Sequence, residues 1–253
     1  MTTGPGVSEV AGGIRARRLL LRTARRAAGS LAGSVVRVRT PEARVVLTFD
    51  DGPEPGGTDR VLTALADAGA TATFFVLVGR VRRYRSLFDE IVAAGHEVGL
   101  HGIDHRALPE LPRAEVAAAM RGGRAELEDA AGRAVRWHRP PYGRQTPRTW
   151  RAVTAAGMTP VLWGPTTWDW RDVPHEARLA KAREGLHAGA IVLAHDGFAG
   201  AEDGASDGPA PVLDRGRLIA EVLAGYAADG WGACSLGEAL GSGTAVREAR
   251  FLR

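Results

Sequence analysis

Cysteine is nearly absent from this chain. Of 253 residues only Cys234 carries a thiol, so no intrachain disulfide can staple the fold. Within GACSLG it reads as a small buried apolar side chain. No apolar run is long enough to span a bilayer. The nearest thing to an export signal, LLL at 19–21, is flanked by arginines and lacks an apolar h-region. That absence sets the expectation of a cytoplasmic protein. Aromatic residues make up 6% of the chain, and none interleaves with the stretch from Arg15 to Arg26, where six arginines meet no acid. Without aromatics or a nucleic-acid motif this stretch excludes a nucleic-acid partner. It reads as the solvated face of a basic N-terminal helix, with peripheral contact to a membrane or an anionic partner as the functional alternative.

What is present describes an ordinary folded domain. Hydrophobic residues are 45% and charged residues 25%, and the length suffices for one sizeable core. From Val45 onward, short apolar runs alternate with helix-forming segments. RVVLTF, TATFFVLV, EVGL, TPVLW and AIVLAH read as strands. Thr58 to Ala68, Tyr84 to Ala94, Arg113 to Ala131, Ala177 to Leu186 and Arg215 to Ala228 read as helices, and Pro147 opens another as a first-turn proline does. Repeated β–α units predict an α/β fold on a parallel sheet, closed or open. The expected organisation is a basic arm over 1–43, one domain over 44–240 and a tail over 241–253. The breaker-rich segment 198–211 is predicted to be a surface loop able to narrow a groove.

In parallel α/β folds the reactive groups collect beyond the carboxyl ends of the strands. Here Asp50 and Asp51 follow the first of these strands, and HGIDH at 101–105 follows the third. RPPYG at 139–143 follows VRWH, GPTTWDW leads to Asp169, and His195 and Asp196 end AIVLAH. If the chain turns helically after its strand, His101 and His105 share a face and their imidazoles converge. Two imidazoles and a carboxylate make a divalent-metal shell. One aspartate of the pair would then bind the cation, leaving the other for proton transfer. Gly52 and Pro53 would supply the turn that lets both reach one cavity.

TFDDGP at 48–53, HGIDH, RPPYG, WDW at 168–170 and LAH at 193–195 resemble, in order and spacing, the motifs of the polysaccharide deacetylase family. This is carbohydrate esterase family 4, the NodB-homology group. The resemblance covers about 44–240. It implies a distorted (β/α) barrel with fewer than eight complete units, and metal-dependent hydrolysis of N-acetyl groups on an amino-sugar glycan or glycoconjugate. It further implies Asp50 as catalytic base, Asp51, His101 and His105 as metal ligands, and Arg139 as the group that orients the base. The Tyr142 backbone N–H would hold the oxyanion, His195 would be the general acid, and Asp169 its partner. Trp170, Leu193 and Pro140 would wall the acetyl pocket. The cofactor implied is one divalent ion, zinc first, with cobalt, nickel or manganese as alternatives. Gly102 stands where the family often has Ser or Thr, and Thr166 where it commonly has a carboxylate.

Other readings compete. They are a deacylase of a small amino-sugar metabolite, an O-acetyl esterase, an iron oxygenase built on the same two-histidine, one-carboxylate set, and a glycan-binding domain without activity. His96, His138, His175 and His187 are expected to be structural or surface residues.

Overall fold

The computed structural model describes residues 33–252. The expected basic N-terminal helix, around Arg15 to Arg26, lies outside the described residues. In chain order, β1 is Ser34–Arg39, β2 Arg44–Asp50, α1 Thr58–Asp67, β3 Thr73–Leu77, α2 Val78–Arg83, α3 Arg85–Ala93 and β4 Glu97–Gly102. Then come α4 Arg113–Ala131, β5 Trp137–His138, α5 Pro147–Ala155, β6 Thr159–Pro160, α6 His175–Arg183 and β7 Ile191–His195. The chain ends with α7 Arg215–Ala228, β8 Gly232–Cys234, α8 Leu236–Ser242 and β9 Thr244–Glu248. Among the described residues, no helix is long and apolar enough to cross a membrane.

The main sheet is parallel, in the order β6-β5-β4-β3-β2-β7, with β8 pairing the first half of β2. Period-two alternation sorts the side chains of β2. Val45, Leu47 and Phe49 pack outward with helix residues such as Val61, Leu65, Ile219 and Val222. Val46 packs inward with Phe75, Val161 and Ile191, and Thr48 and Asp50 share that inner face. The last strand residue therefore aims a carboxylate into the barrel mouth.

β5 and β6 are only two residues each, so the ring cannot close strand to strand. The segment after β6 closes it instead. Leu162 N–H donates to Val35 O, Gly164 N–H to Ile191 O, and Thr167 N–H to Leu193 O, while Leu193 N–H donates back to Pro165 O. β1 lies against this seam, bridging to Val161 on one side and Ala190 on the other. It pairs antiparallel with β9.

This corrects the expected boundaries at 43 and 241. Ser34–Arg39 is an extended part of the body, not a helical arm, and Thr244–Glu248 is its partner, not a tail. The sequence offered only short alternating stretches there, whose pairing spans the whole chain. Two short helices, α2 and α8, were also unforeseen. α8 carries a capping box between Ser235 and Glu238 that marks its start.

Candidate active site

Asp50 and Asp51 reach the same cavity because the backbone changes hand between them. Asp50 ends β2 on its inner face, so an extended Asp51 would point toward the helices. Its φ of 78°, a left-handed conformation uncommon outside glycine, swings the carboxylate back over the mouth. The following turn is held by Asp196, whose Oδ1 accepts from Gly52 N–H at 3.2 Å and whose Oδ2 accepts from the Thr58 hydroxyl at 2.6 Å. A Cβ on residue 52 would lie 1.9 Å from Asp196 Oδ2, so only glycine fits there.

The two aspartates have different surroundings. Asp50 Oδ1 receives a 2.7 Å hydrogen bond from Arg139 Nη1, which also donates to Thr48 Oγ1 at 2.8 Å. The guanidinium is fully buried and lies 4.2 Å over the Phe75 ring and 5.5 Å from that of Trp163. Asp51 Oδ1 instead faces His101 Nε2 and His105 Nε2, each 3.3 Å away. Its Oδ2 accepts from Ala199 N–H at 3.2 Å.

His101 Nδ1 lies 2.8 Å from Arg139 O. A carbonyl can only accept, so Nδ1 carries the proton and Nε2 presents a lone pair. The three ligand atoms of Asp51, His101 and His105 lie within 4.8 Å of one another, all three residues are buried, and Asp51 Oδ1 has no hydrogen-bond partner. Acceptors converging without a donor repel one another unless a cation sits between them. The donor set, two imidazole nitrogens and one carboxylate oxygen, fits a divalent ion. Burial lowers His105, which favours its neutral, ligating form.

The helical turn expected between the histidines is absent. His101 belongs to β4, and His105 stands on an irregular loop pinned by its own N–H to Asp203 O at 2.7 Å. Glycine at 102 is a steric requirement, since a Cβ there would come 2.3 Å from Asp104 O. The loop-steadying role of a Ser or Thr passes to Asp104, whose Oδ1 accepts from Arg106 N–H, and to Asp203.

Across the cavity, His195 Nδ1 lies 2.8 Å from Asp169 Oδ1, and the His195 backbone N–H donates to Asp169 Oδ2 at 2.6 Å. Burial pushes the His195 imidazole down, but the Asp169 carboxylate outweighs it and carries the pKa up to about 9. The ring is thus an imidazolium at neutral pH, with the Trp170 ring edge-on at 5.3 Å. Sequence reasoning missed Arg215, which opens α7. Its Nη1 donates to His195 O at 3.1 Å and lies 3.5 Å from Asp169 Oδ2. With Thr166 in place of a carboxylate, Arg215 is the charged group that braces Asp169. Its signal was an arginine at a helix start following a breaker-rich loop, which nothing local ties to position 169.

The cavity enclosed by these groups measures about 460 Å³. Asp50, Asp51, His101, His105, Tyr142, Trp170, Leu193 and His195 all face it, as do Trp163 and Phe198. Arg139 and Asp169 stand behind the residues they bind. Pro140 does not line the cavity. It is the buried extended residue leading into the turn at Pro141–Gly143, and Trp163 forms the wall in its stead. In that turn Tyr142 is left-handed, at φ 59°. Its ring packs edge-on to His105, 4.4 Å away, and its hydroxyl accepts from Ser206 N–H at 3.3 Å. The other histidines lie elsewhere: His175 pairs with Glu221, His187 contacts Gly185 O, and His96 and His138 are buried among the strands and helices.

The family model for polysaccharide deacetylase matches residues 37–161. A chitooligosaccharide deacetylase from Azorhizobium caulinodans is 31% identical over 169 residues, 66% of this chain and 80% of that one. The family 4 carbohydrate esterase from Streptomyces lividans superimposes with a TM-score of 0.68 at 23% identity, covering 85% of this chain and all of the other. A pseudoenzyme of the same family from Bacillus anthracis superimposes as well, with a TM-score of 0.71 at 22% identity, covering 86% of this chain and 72% of the other. The shared fold is therefore silent on turnover, and that question falls to the side chains in the cavity. On the strength of the sequence relatives, the chain belongs to the polysaccharide deacetylase family, carbohydrate esterase family 4.

Proposed function

We propose that this protein hydrolyses the N-acetyl amide of an amino-sugar glycan, using one divalent cation held by Asp51, His101 and His105. The observation that carries the reading is the opposition across one cavity of two unlike pairs. On one side, three ligand atoms converge beside an arginine-bound carboxylate. On the other stands an imidazolium held by a buried carboxylate. The relatives named above, chitooligosaccharide deacetylase among them, support an oligomeric or polymeric N-acetylated substrate. Zinc is the first choice for a site of two nitrogens and one oxygen.

A divalent ion held by Asp51, His101 and His105 would supply Lewis acidity, lowering the pKa of water and drawing electron density from the amide carbonyl. Asp50, aimed by Arg139, takes the proton from the attacking water. The backbone N–H of Tyr142 stabilises the oxygen that gains charge, while Trp170 and Leu193 enclose the acetyl methyl. His195 then gives its proton to the departing nitrogen as the carbon–nitrogen bond breaks, releasing acetate and a free amine. Asp169 keeps that imidazole charged and turned toward the cavity.

Acetate release tests the proposal, with chitooligosaccharides, N-acetylated cell-wall glycan and small N-acetyl-hexosamine conjugates offered to metal-stripped and metal-restored protein. Release from a glycan only after restoration is the expected result. Failure to release acetate from every N-acetylated substrate, with metal restored, would sink it.

A further inference from the structure

The segment after β7 crosses back over the barrel mouth and touches both sides of the metal half-site. Ala199 N–H donates to Asp51 Oδ2, and Asp203 O accepts from His105 N–H. One side chain from α2 grips this strap at two points. Arg80 is 2% exposed. Its Nε and Nη2 bind Asp203 Oδ2 at 3.0 and 2.6 Å, Nη2 also donates to Phe198 O at 2.7 Å, and Nη1 lies 3.4 Å from Glu54 Oε1. Glu54, in the turn after Asp51, closes the loop by accepting from Phe198 N–H at 2.9 Å. Gly197 makes room for the guanidinium, since a Cβ there would stand 2.7 Å from Arg80 Nη1.

A buried ion pair is a poor way to add stability, because desolvation consumes most of what attraction returns. The pair is well suited to fixing geometry. Its planar fork grips a side chain and a main-chain carbonyl of the strap together, which a flexible ammonium cannot reproduce. We infer that Arg80 is a positioning residue for the metal site. Through Asp203 and Phe198 it sets the strap whose backbone orients Asp51 and His105. The inference rests on the reading of those two residues as ligands. Outer partners of ligands govern affinity when they fix orientation, and here that control is routed through backbone groups of a loop.

The test uses the whole chain, with Arg80→Met, Arg80→Lys and the surface control Arg82→Ala, and cobalt(II) as the probe. Three quantities are read: cobalt affinity, the visible absorption of the bound ion, and amide exchange at Ala199 and His105. For Arg80→Met, cobalt affinity falls by roughly 10-fold or more and the absorption spectrum changes. Exchange at the two amides quickens, while Leu47 and Phe74 in the sheet stay protected. Arg80→Lys recovers only part of the loss, and Arg82→Ala matches the wild type. Should Arg80→Met fail to fold, Asp203→Asn carries the same expectation, because it keeps the carbonyl that His105 uses. Affinity and exchange within about twofold of wild type in these variants would overturn the inference, twofold being well short of what an orienting partner costs. If the wild-type chain itself takes up no cobalt, the metal reading fails; unchanged exchange at Ala199 and His105 would then refute the strap's role separately.

Discussion

The two sides of the cavity are built in opposite ways. On the metal side, the functional groups come from two short stretches of chain, Asp50–Asp51 and His101–His105, steadied from outside by Arg139 and by the backbone of the segment after β7. The acid side is assembled from three distant places. Asp169 sits on a connection after β6, His195 ends β7 and Arg215 opens α7. Closely spaced groups are placed by backbone geometry, as the left-handed Asp51 illustrates. Groups far apart in sequence need charges to find each other, so each member depends on its partners. The metal side should therefore respond to substitution as a set of all-or-none ligands, and the acid side as a graded relay.

Asp50→Asn should have the largest effect. It keeps the shape and removes the base, so kcat should fall by roughly 10²–10⁴-fold with metal content unchanged. Asp169→Asn should come next, and its signature is in the pH profile. The His195 pKa stands near 9, so the proton-donating form is present below that value and lost as pH rises through it. Without the carboxylate, burial meets only the weaker pull of Asp51 and Asp50, and the alkaline limb of kcat should move down by more than one pH unit. An unmoved limb would mean that the pair is not the relay described. Arg215→Met should be milder, lowering kcat about 10-fold while leaving the limb near its wild-type place, because Asp169 still faces the ring.

The smallest expected effect is on stability, at the turn shared by both sides. Burial raises the Asp196 carboxyl to about 7, although the Thr58 hydroxyl works against it. A raised acid contributes stability below its unfolded value, near 3.8, and loses it as pH climbs through the folded value. Asp196→Asn should therefore gain on wild type between pH 4.5 and pH 8 in metal-free protein. The gain in Tm should be a few degrees, roughly what 1 kcal/mol gives in a chain this size. A constant difference across that range would contradict the assignment.

The same contrast explains what could be read from the residues beforehand. Motif and spacing pointed to Asp50, Asp51, His101, His105, Arg139 and His195, which stand at the end of a strand or in the few residues that follow one. Helix patterns such as Arg113–Ala131 were legible to the residue. Barrel closure was not, since β1 and β9 are joined by pairing across the length of the chain, and the seam at 161–167 is held by backbone bonds that favour no residue type. Arg215 and Arg80 went unnoticed because an arginine shows its role only when its distant carboxylate is known. Pro140 was misplaced because the motif containing it turns sharply after Arg139, so its neighbours reach the cavity and it does not.

In the proposed site, Asp51, His101 and His105 hold one cation while Asp50 stays unligated beside it. Calorimetric titration of zinc into metal-free wild type, His101→Gln and Asp50→Asn tests it most directly. Wild type and Asp50→Asn should each take up one ion per chain, and His101→Gln should lose tight binding. Retention of tight binding by His101→Gln, or its loss in Asp50→Asn, would contradict it.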